Sequence, residues 1–198
     1  RKLKNPCRIE VIVRHRKWEY GIFKCQQRLK SQTIVTYSHP GKFKQQRAKS
    51  LVDLKPIFIQ EMIPSKDHIY NGCVLSVTII ENTFVWSPSI HLVVEDEKFD
   101  CEQMCIYNFN LDEGKDLITN VFTIGSKMHV VNPYLRIGAT DRKPLIRIDD
   151  ILSIVMENDS EPKSITCRCC GESNPKYRCK KCQNTYYCSK DCQTIDWE

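Results

Sequence analysis

Six of the chain's cysteines have types and spacing that could do chemistry: Cys167-x2-Cys170, Cys179-x2-Cys182 and Cys188-x3-Cys192. Two thiols two residues apart in a tight turn can both reach one metal ion, and a tetrahedral Zn²⁺ site needs four soft or borderline ligands. Three such pairs in close succession therefore read as a zinc framework. A disulfide framework is the alternative and suits a small secreted domain, but the knuckle spacing favours metal. Cys169 lies between two thiols of the first knuckle. Gly171 follows Cys170 as a knuckle glycine should, which makes Cys167 and Cys170 the expected ligands and Cys169 a bystander or a competitor for register. Cys7, Cys25 and Cys73 fall singly in apolar stretches and read as core thiols. Cys101-x3-Cys105 reads as two ordinary thiols.

The residues around the last pair narrow the reading. Tyr187-Cys188-Ser189-x-x-Cys192-Gln193, then Asp196-Trp197, resembles the MYND zinc finger, whose pattern runs YCS-x-x-CQ-x-x-DW and continues to a His, three residues and a Cys. The resemblance covers residues 167–198; the chain stops at Glu198, before that His and Cys, and both ends read as cut from a longer protein. The resemblance implies two interleaved sites. Cys167, Cys170, Cys188 and Cys192 would share one ion, and Cys179 and Cys182 would share a second with the two ligands of the pattern's continuation. It also implies a module that grips short proline-rich peptides lying as an added strand, with Gln193 and Trp197 against the peptide; Tyr186 joins them from its position alone. The competing role for Trp197 is packing the helix onto the knuckles. A closed four-thiolate site leaves no open position for an activated water and is structural. So short a segment cannot bury a sufficient core, so metal binding supplies its folding free energy. Ser189 is a natural N-cap for a short helix running through Trp197.

The elements that would position this finger read mostly as strands. Alternation appears at Ile9-x-Val11-x-Val13, from Trp18 through Phe23 and at Ile34–Tyr37, and Lys42–Ser50 reads as loop or short helix. Leu51–Ile63 is mixed, with Pro56 and Pro64 limiting any helix. Strands follow at Cys73–Ile80, Phe84–Trp86, Ile90–Val94, Met104–Phe109, Lys127–Val131, Tyr134–Ile137 and Leu145–Ile148, with turn residues at the rhythm of a small barrel or sandwich. Asp149–Met156 fits a closing strand or a short helix. The expected fold class is mainly β: a small OB-like or SH3-like barrel, then a zinc-stabilised finger with a short C-terminal helix. The expected domains are a basic, strand-containing segment over 1–50, a barrel over 51–157, a linker over 158–166 and the finger over 167–198. Stretches of residues 51–155, among them Ile124-Gly125-Ser126-Lys127-Met128-His129-Val130-Val131-Asn132-Pro133-Tyr134, loosely resemble a β-barrel region that precedes tetratricopeptide repeats and SET or MYND modules in some eukaryotic proteins. The Trp18-x-x-Gly21 rhythm of the first segment faintly resembles a Tudor-type small barrel.

Charge is unevenly spread. Residues 1–50 carry 14 Lys/Arg against 2 Asp/Glu, residues 51–160 carry 9 against 17, and the rest 7 against 5, for a net charge of +6. A basic head beside an acidic middle points to an anionic partner for the head or to docking of one on the other. No apolar run approaches the roughly 20 residues a membrane-spanning helix needs, and thiolate zinc chemistry points to a reducing compartment, nuclear or cytoplasmic. The leading function is a zinc-binding protein-interaction module on a β-barrel scaffold, part of a larger protein and not itself an enzyme. One alternative is a non-catalytic fragment of a SET/MYND lysine methyltransferase, whose Asn-His-Ser-Cys type of motif does not occur in the sequence. The other is nucleic-acid binding through the basic head with Trp18, Tyr20, Phe23, Tyr37 and Phe43, which the acidic middle opposes.

Overall fold

The computed structural model describes residues 7–28, 51–138, 141–157, 165–181 and 185–197. Helix α1 (Cys7–Arg28) comes first, followed by β1 (Lys55–Pro56), β2 (His68–Ile69), β3 (Cys73–Ile79), β4 (Phe84–Trp86), β5 (Ser89–Asp96) and β6 (Cys101–Tyr107). Helix α2 (Leu111–Asn120) precedes β7 (Lys127–Val131), β8 (Tyr134–Ile137), β9 (Pro144–Ile148) and β10 (Ile154–Met156). The finger adds β11 (Tyr177–Arg178), β12 (Tyr186–Tyr187) and α3 (Lys190–Trp197).

Strands β1 to β10 form one sheet in the order β10-β7-β3-β5-β6-β9-β8-β2, with β1 beside β3 and β4 beside β5. Neighbours are antiparallel except β6–β9 and β1–β3. Leu75, Val77 and Ile79 of β3, Ile90, Leu92 and Val94 of β5, Met104 and Ile106 of β6, Met128 and Val130 of β7, Leu135 of β8, and Ile146 and Ile148 of β9 close on one core. Strands near opposite ends of the order share that core, so the sheet curls around it. The mainly-β class, with a finger and a short C-terminal helix after the sheet, is the one expected from the sequence.

Strand β5 is buried along its whole length. Its period of two explains how: Ile90, Leu92 and Val94 face the core, while Ser89, His91, Val93 and Glu95 face outward. That outer face is covered by α1, where Val11 and Ile12 meet Val93, Ile80 and Cys101 in a second apolar cluster.

Helix α1 corrects the strand reading of Ile9–Val13 and Trp18–Phe23. Its buried residues are Arg8, Val11, Ile12, His15 and Ile22, a helical repeat in which two positions are polar. Apolar alternation skips Arg8 and His15, and without them the period looks like two. Residues Trp18 and Gly21 of the Tudor-type resemblance also lie on this helix. The expected strand at 34–37 and the loop or helix at 42–50 fall outside the described residues. Helix α2 falls between the expected strands, and its signal is present in the sequence. Asn110 Oδ1 accepts from the backbone N–H groups of Asp112 (3.1 Å) and Glu113 (2.9 Å), and the Glu113 carboxylate accepts from Asn110 N–H (3.3 Å). That is a capping box spelled out in sequence. For Asp149–Met156 both alternatives appear in turn, a 3₁₀ turn at Ile151–Ser153 capped by Asp150 and then β10.

Candidate metal centre

The first knuckle is a closed turn. Cys167 N–H donates to the Glu172 carbonyl (2.8 Å) and Gly171 N–H to the Cys167 carbonyl (2.8 Å), while Thr166 bridges to Ser173. Gly171 takes φ +71°, the left-handed conformation that favours glycine. The β11–β12 hairpin follows, and Cys179 N–H donates to the Thr185 carbonyl at its loop end (2.8 Å). Ser189 Oγ accepts from Cys192 N–H (3.1 Å), which is the N-cap contact expected for α3.

These elements bring Cys167, Cys170, Cys188 and Cys192 together, with all four sulfurs within 4.8 Å of one another. Cys170 and Cys188 approach to 3.4 Å, and Cys188 and Cys192 to 3.3 Å. Four sulfurs about 2.3 Å from a tetrahedral zinc would lie about 3.8 Å apart, so the cluster has the size and donor set the ion requires. Burial pushes the thiols of Cys170 and Cys192 up, the latter to about 12. Buried thiols in this state need a bound cation to become thiolates at neutral pH. Cys169 is fully buried beside the cluster but outside the set of four, and burial raises its thiol to about 11. Cys179 is buried, with the Gln193 side-chain amide 3.7 Å from its sulfur; Cys182 lies outside the described residues.

Residues 167–198 match the MYND finger family model. This segment is a zinc-binding finger of the MYND type. MYND fingers form a family of protein-interaction modules. No curated protein matches the chain significantly. Among solved structures, an OB domain from Methanosarcina mazei is similar at 13% identity and TM-score 0.37, over 55% of this chain and 86% of that one. Fission yeast Pot1 with ssDNA is similar at 13% identity and TM-score 0.34, over 50% and 38%. A hypothetical protein from Arabidopsis thaliana is similar at 12% identity and TM-score 0.32, over 79% and 96%.

The sequence motif hid the role of the residues between the MYND ligands. Asp196, of the Asp-Trp pair, sits one helical turn after Cys192 and is buried with it. Its Oδ2 accepts from the Tyr187 hydroxyl (2.6 Å), while Arg16 Nη1 and Nη2 donate to its carbonyl (2.9 Å) and to Oδ1 (3.0 Å). Arg168, inside the first knuckle, forms an ion pair with Glu81, and Arg16 reaches the other oxygen of the same carboxylate (2.8 Å). Glu81 is only 1% exposed. Burial works against its charge, but Arg168 and Arg16 outweigh it and hold the carboxyl below its ordinary value. Nothing in the spacing of Arg16, Glu81, Arg168 and Asp196 signals this cluster, because its members come from three separate parts of the chain.

The three residues expected at a peptide surface are not all alike. Gln193 and Trp197 are four residues apart on α3, hence on one face. Trp197 is 54% exposed, with Lys181 Nζ 5.1 Å from the centre of its ring. Tyr186 instead lines a cleft of about 510 Å³ between the finger and β3, together with Thr78, Ile124 and Ile165. Neither Gln193 nor Trp197 lines it. Cys105, expected to be an ordinary thiol, is buried 3.2 Å from His91 Nδ1, and Cys101 lies 3.3 Å from Glu95 on the outer face. Among the described residues no helix is long and apolar enough to cross a membrane.

Proposed function

We propose that this chain is a recognition module in which zinc holds the finger and α3 presents Gln193 and Trp197 to a short proline-rich peptide. Cys167, Cys170, Cys188 and Cys192 hold the structural ion, and Cys179 with Cys182 supplies ligands to a second. The β-barrel is the scaffold, and no catalytic role falls to this part of the protein. The observation that carries the reading is the asymmetry of α3. One face is fixed by Cys192 and Asp196, while Trp197 leaves 54% of its surface in solvent, where its indole can meet a ligand. An exposed aromatic beside a glutamine suits a peptide lying extended, whose backbone the glutamine can hydrogen-bond and whose proline ring the indole can cover. Tyr186, facing the cleft, contributes less.

The test is titration of the finger-containing protein with a proline-rich peptide, with zinc content checked in every variant. A small transient contact of this kind binds in the micromolar range. Trp197→Ala should weaken binding by about 1–3 kcal/mol, as for an interface hot spot, and Gln193→Ala by less. Unchanged affinity in a zinc-loaded Trp197→Ala protein would overturn the assignment. Nucleic acid is the weaker reading. It draws on Tyr20 and Phe23, about half exposed on α1 beside Lys24, and a labelled single strand serves as the control ligand in the same titration.

A further inference from the structure

We infer that α1 completes the zinc finger: Arg8 and Arg16 act as a two-point clamp that retains the ion by holding both ligand-bearing elements against the barrel. Each arginine bridges the same two kinds of partner, a barrel carboxylate and a finger carbonyl. Arg8 pairs with Glu95 of β5, and its Nε donates to the carbonyl of Arg168, in the knuckle that carries Cys167 and Cys170 (3.3 Å). Arg16 pairs with Glu81, just after β3, and donates to the carbonyl and carboxylate of Asp196, on the helix that carries Cys192. The two arginines are two helical turns apart, so one rigid helix spans the distance between knuckle and α3.

The remaining contacts tie this clamp to the ligands. A Cβ on Gly171 would stand 3.4 Å from Glu95 Oε2 and 3.6 Å from Arg8 Nη1, so the knuckle turn is seated directly on the first pair. Ile9, between the two clamp points, packs against the buried cysteine cluster. Arg168 spans to Glu81 and, through Nη1, to Thr185 Oγ1 (3.2 Å), next to β12 of the finger hairpin. Arg8 is 2% exposed, and the Glu95 carboxylate holds its guanidinium charged against the opposing effect of burial. Supports of this kind act on a metal by restricting its ligands: a thiolate cannot swing away to admit a competitor or a proton while its backbone is pinned. By reciprocity, the ion stabilises the seating of α1. The finger and barrel then behave as one cooperative unit.

The inference rests on residues 167–198 holding zinc, and the test separates the two. Zinc release from the full chain into excess chromophoric chelator is timed for wild type, Arg16→Ala, Arg8→Gln and the exposed control Lys17→Ala. Each clamp variant should release zinc roughly tenfold faster or more, and the control at the wild-type rate. Variants that keep their β circular dichroism but release zinc as slowly as wild type would overturn the clamp while leaving the zinc reading intact. Where Arg16→Ala does not fold, Glu81→Gln provides the same comparison with little change in volume. Hydrogen exchange on the wild-type chain gives an independent reading. Amides of residues 8–16 should lose protection when zinc is withdrawn, and unchanged protection would also overturn the inference. A wild-type chain that takes up no zinc would refute the zinc reading itself, and the clamp with it.

Discussion

Acid should loosen the packing of α1 on the barrel through His91, by an amount the structure allows one to work out. His91 lies on the outer face of β5 and is 3% exposed. Its Nε2 meets Ser89 Oγ (2.9 Å) and its Nδ1 meets Cys105 Sγ (3.2 Å), while Phe84 stacks on it and Trp18 of α1 approaches edge-on. Burial, and secondarily the nearby His15, drives its pKa down to about 3 from the ordinary 6.5. A base with a depressed folded pKa gives stability that is present above its unfolded pKa and lost as pH falls toward the folded one. The window is therefore pH 6.5 downward to about 3. Between pH 7 and 5.5 the loss is about 1 kcal/mol by linkage, steepening toward about 1.4 kcal/mol per pH unit. His15 is shifted the same way by burial and adds to the loss. Glu102 works in the opposite direction. Burial, against Arg14, raises its carboxyl to about 6. Its contribution is full below the unfolded pKa and lost as pH rises through 6, so acid returns about 0.7 kcal/mol over the same interval. Comparing wild type with His91→Gln isolates the histidine from this offset. In urea unfolding followed by tryptophan fluorescence, at fixed zinc, the stability gap between the two should shrink by about 1 kcal/mol from pH 7 to 5.5. A gap that stays constant over that interval would refute the reasoning. Since α1 carries Arg8 and Arg16, the same acidification weakens the clamp on the finger.

Two further outcomes follow from local geometry. Cys188→Ser should abolish tight zinc binding by the four-thiol cluster, whereas Cys169→Ala should leave that zinc bound; elemental analysis showing equal metal loss in both would place Cys169 among the ligands. A Cβ at Gly114 of α2 would come within 2.9 Å of Val85 Cγ1, and that stiff side chain cannot step aside. Gly114→Ala should then cost about 1–3 kcal/mol by overpacking, in excess of the roughly 1 kcal/mol that helix propensity returns, and a raised melting temperature would contradict it.

Local chemistry was legible in the sequence wherever it depends on near neighbours along the chain. Cysteine spacing announced the zinc finger, Ser189 its helix cap, and period-two alternation most of the sheet, because each is governed by residues a few positions apart. Capping of α2 is equally local, at Asn110 and Glu113, but its apolar face is short. Helix α1 escaped for a different reason. The face it buries contains Arg8 and His15, whose place inside is decided by partners 87 and 67 residues away, Glu95 and Asn82. The sequence also carried the charge imbalance between a basic head and an acidic middle, though not the pairs that form from it. Only tertiary structure decided that Arg16, Glu81, Arg168 and Asp196 share one buried site, that Asp196 faces inward while Trp197 faces solvent, and that Tyr186 lines the cleft rather than the α3 surface. A charge's partner is set by where the fold leaves it after the core has closed. Spacing along the chain encodes a metal knuckle, but it does not encode an ion pair between helix, barrel and finger.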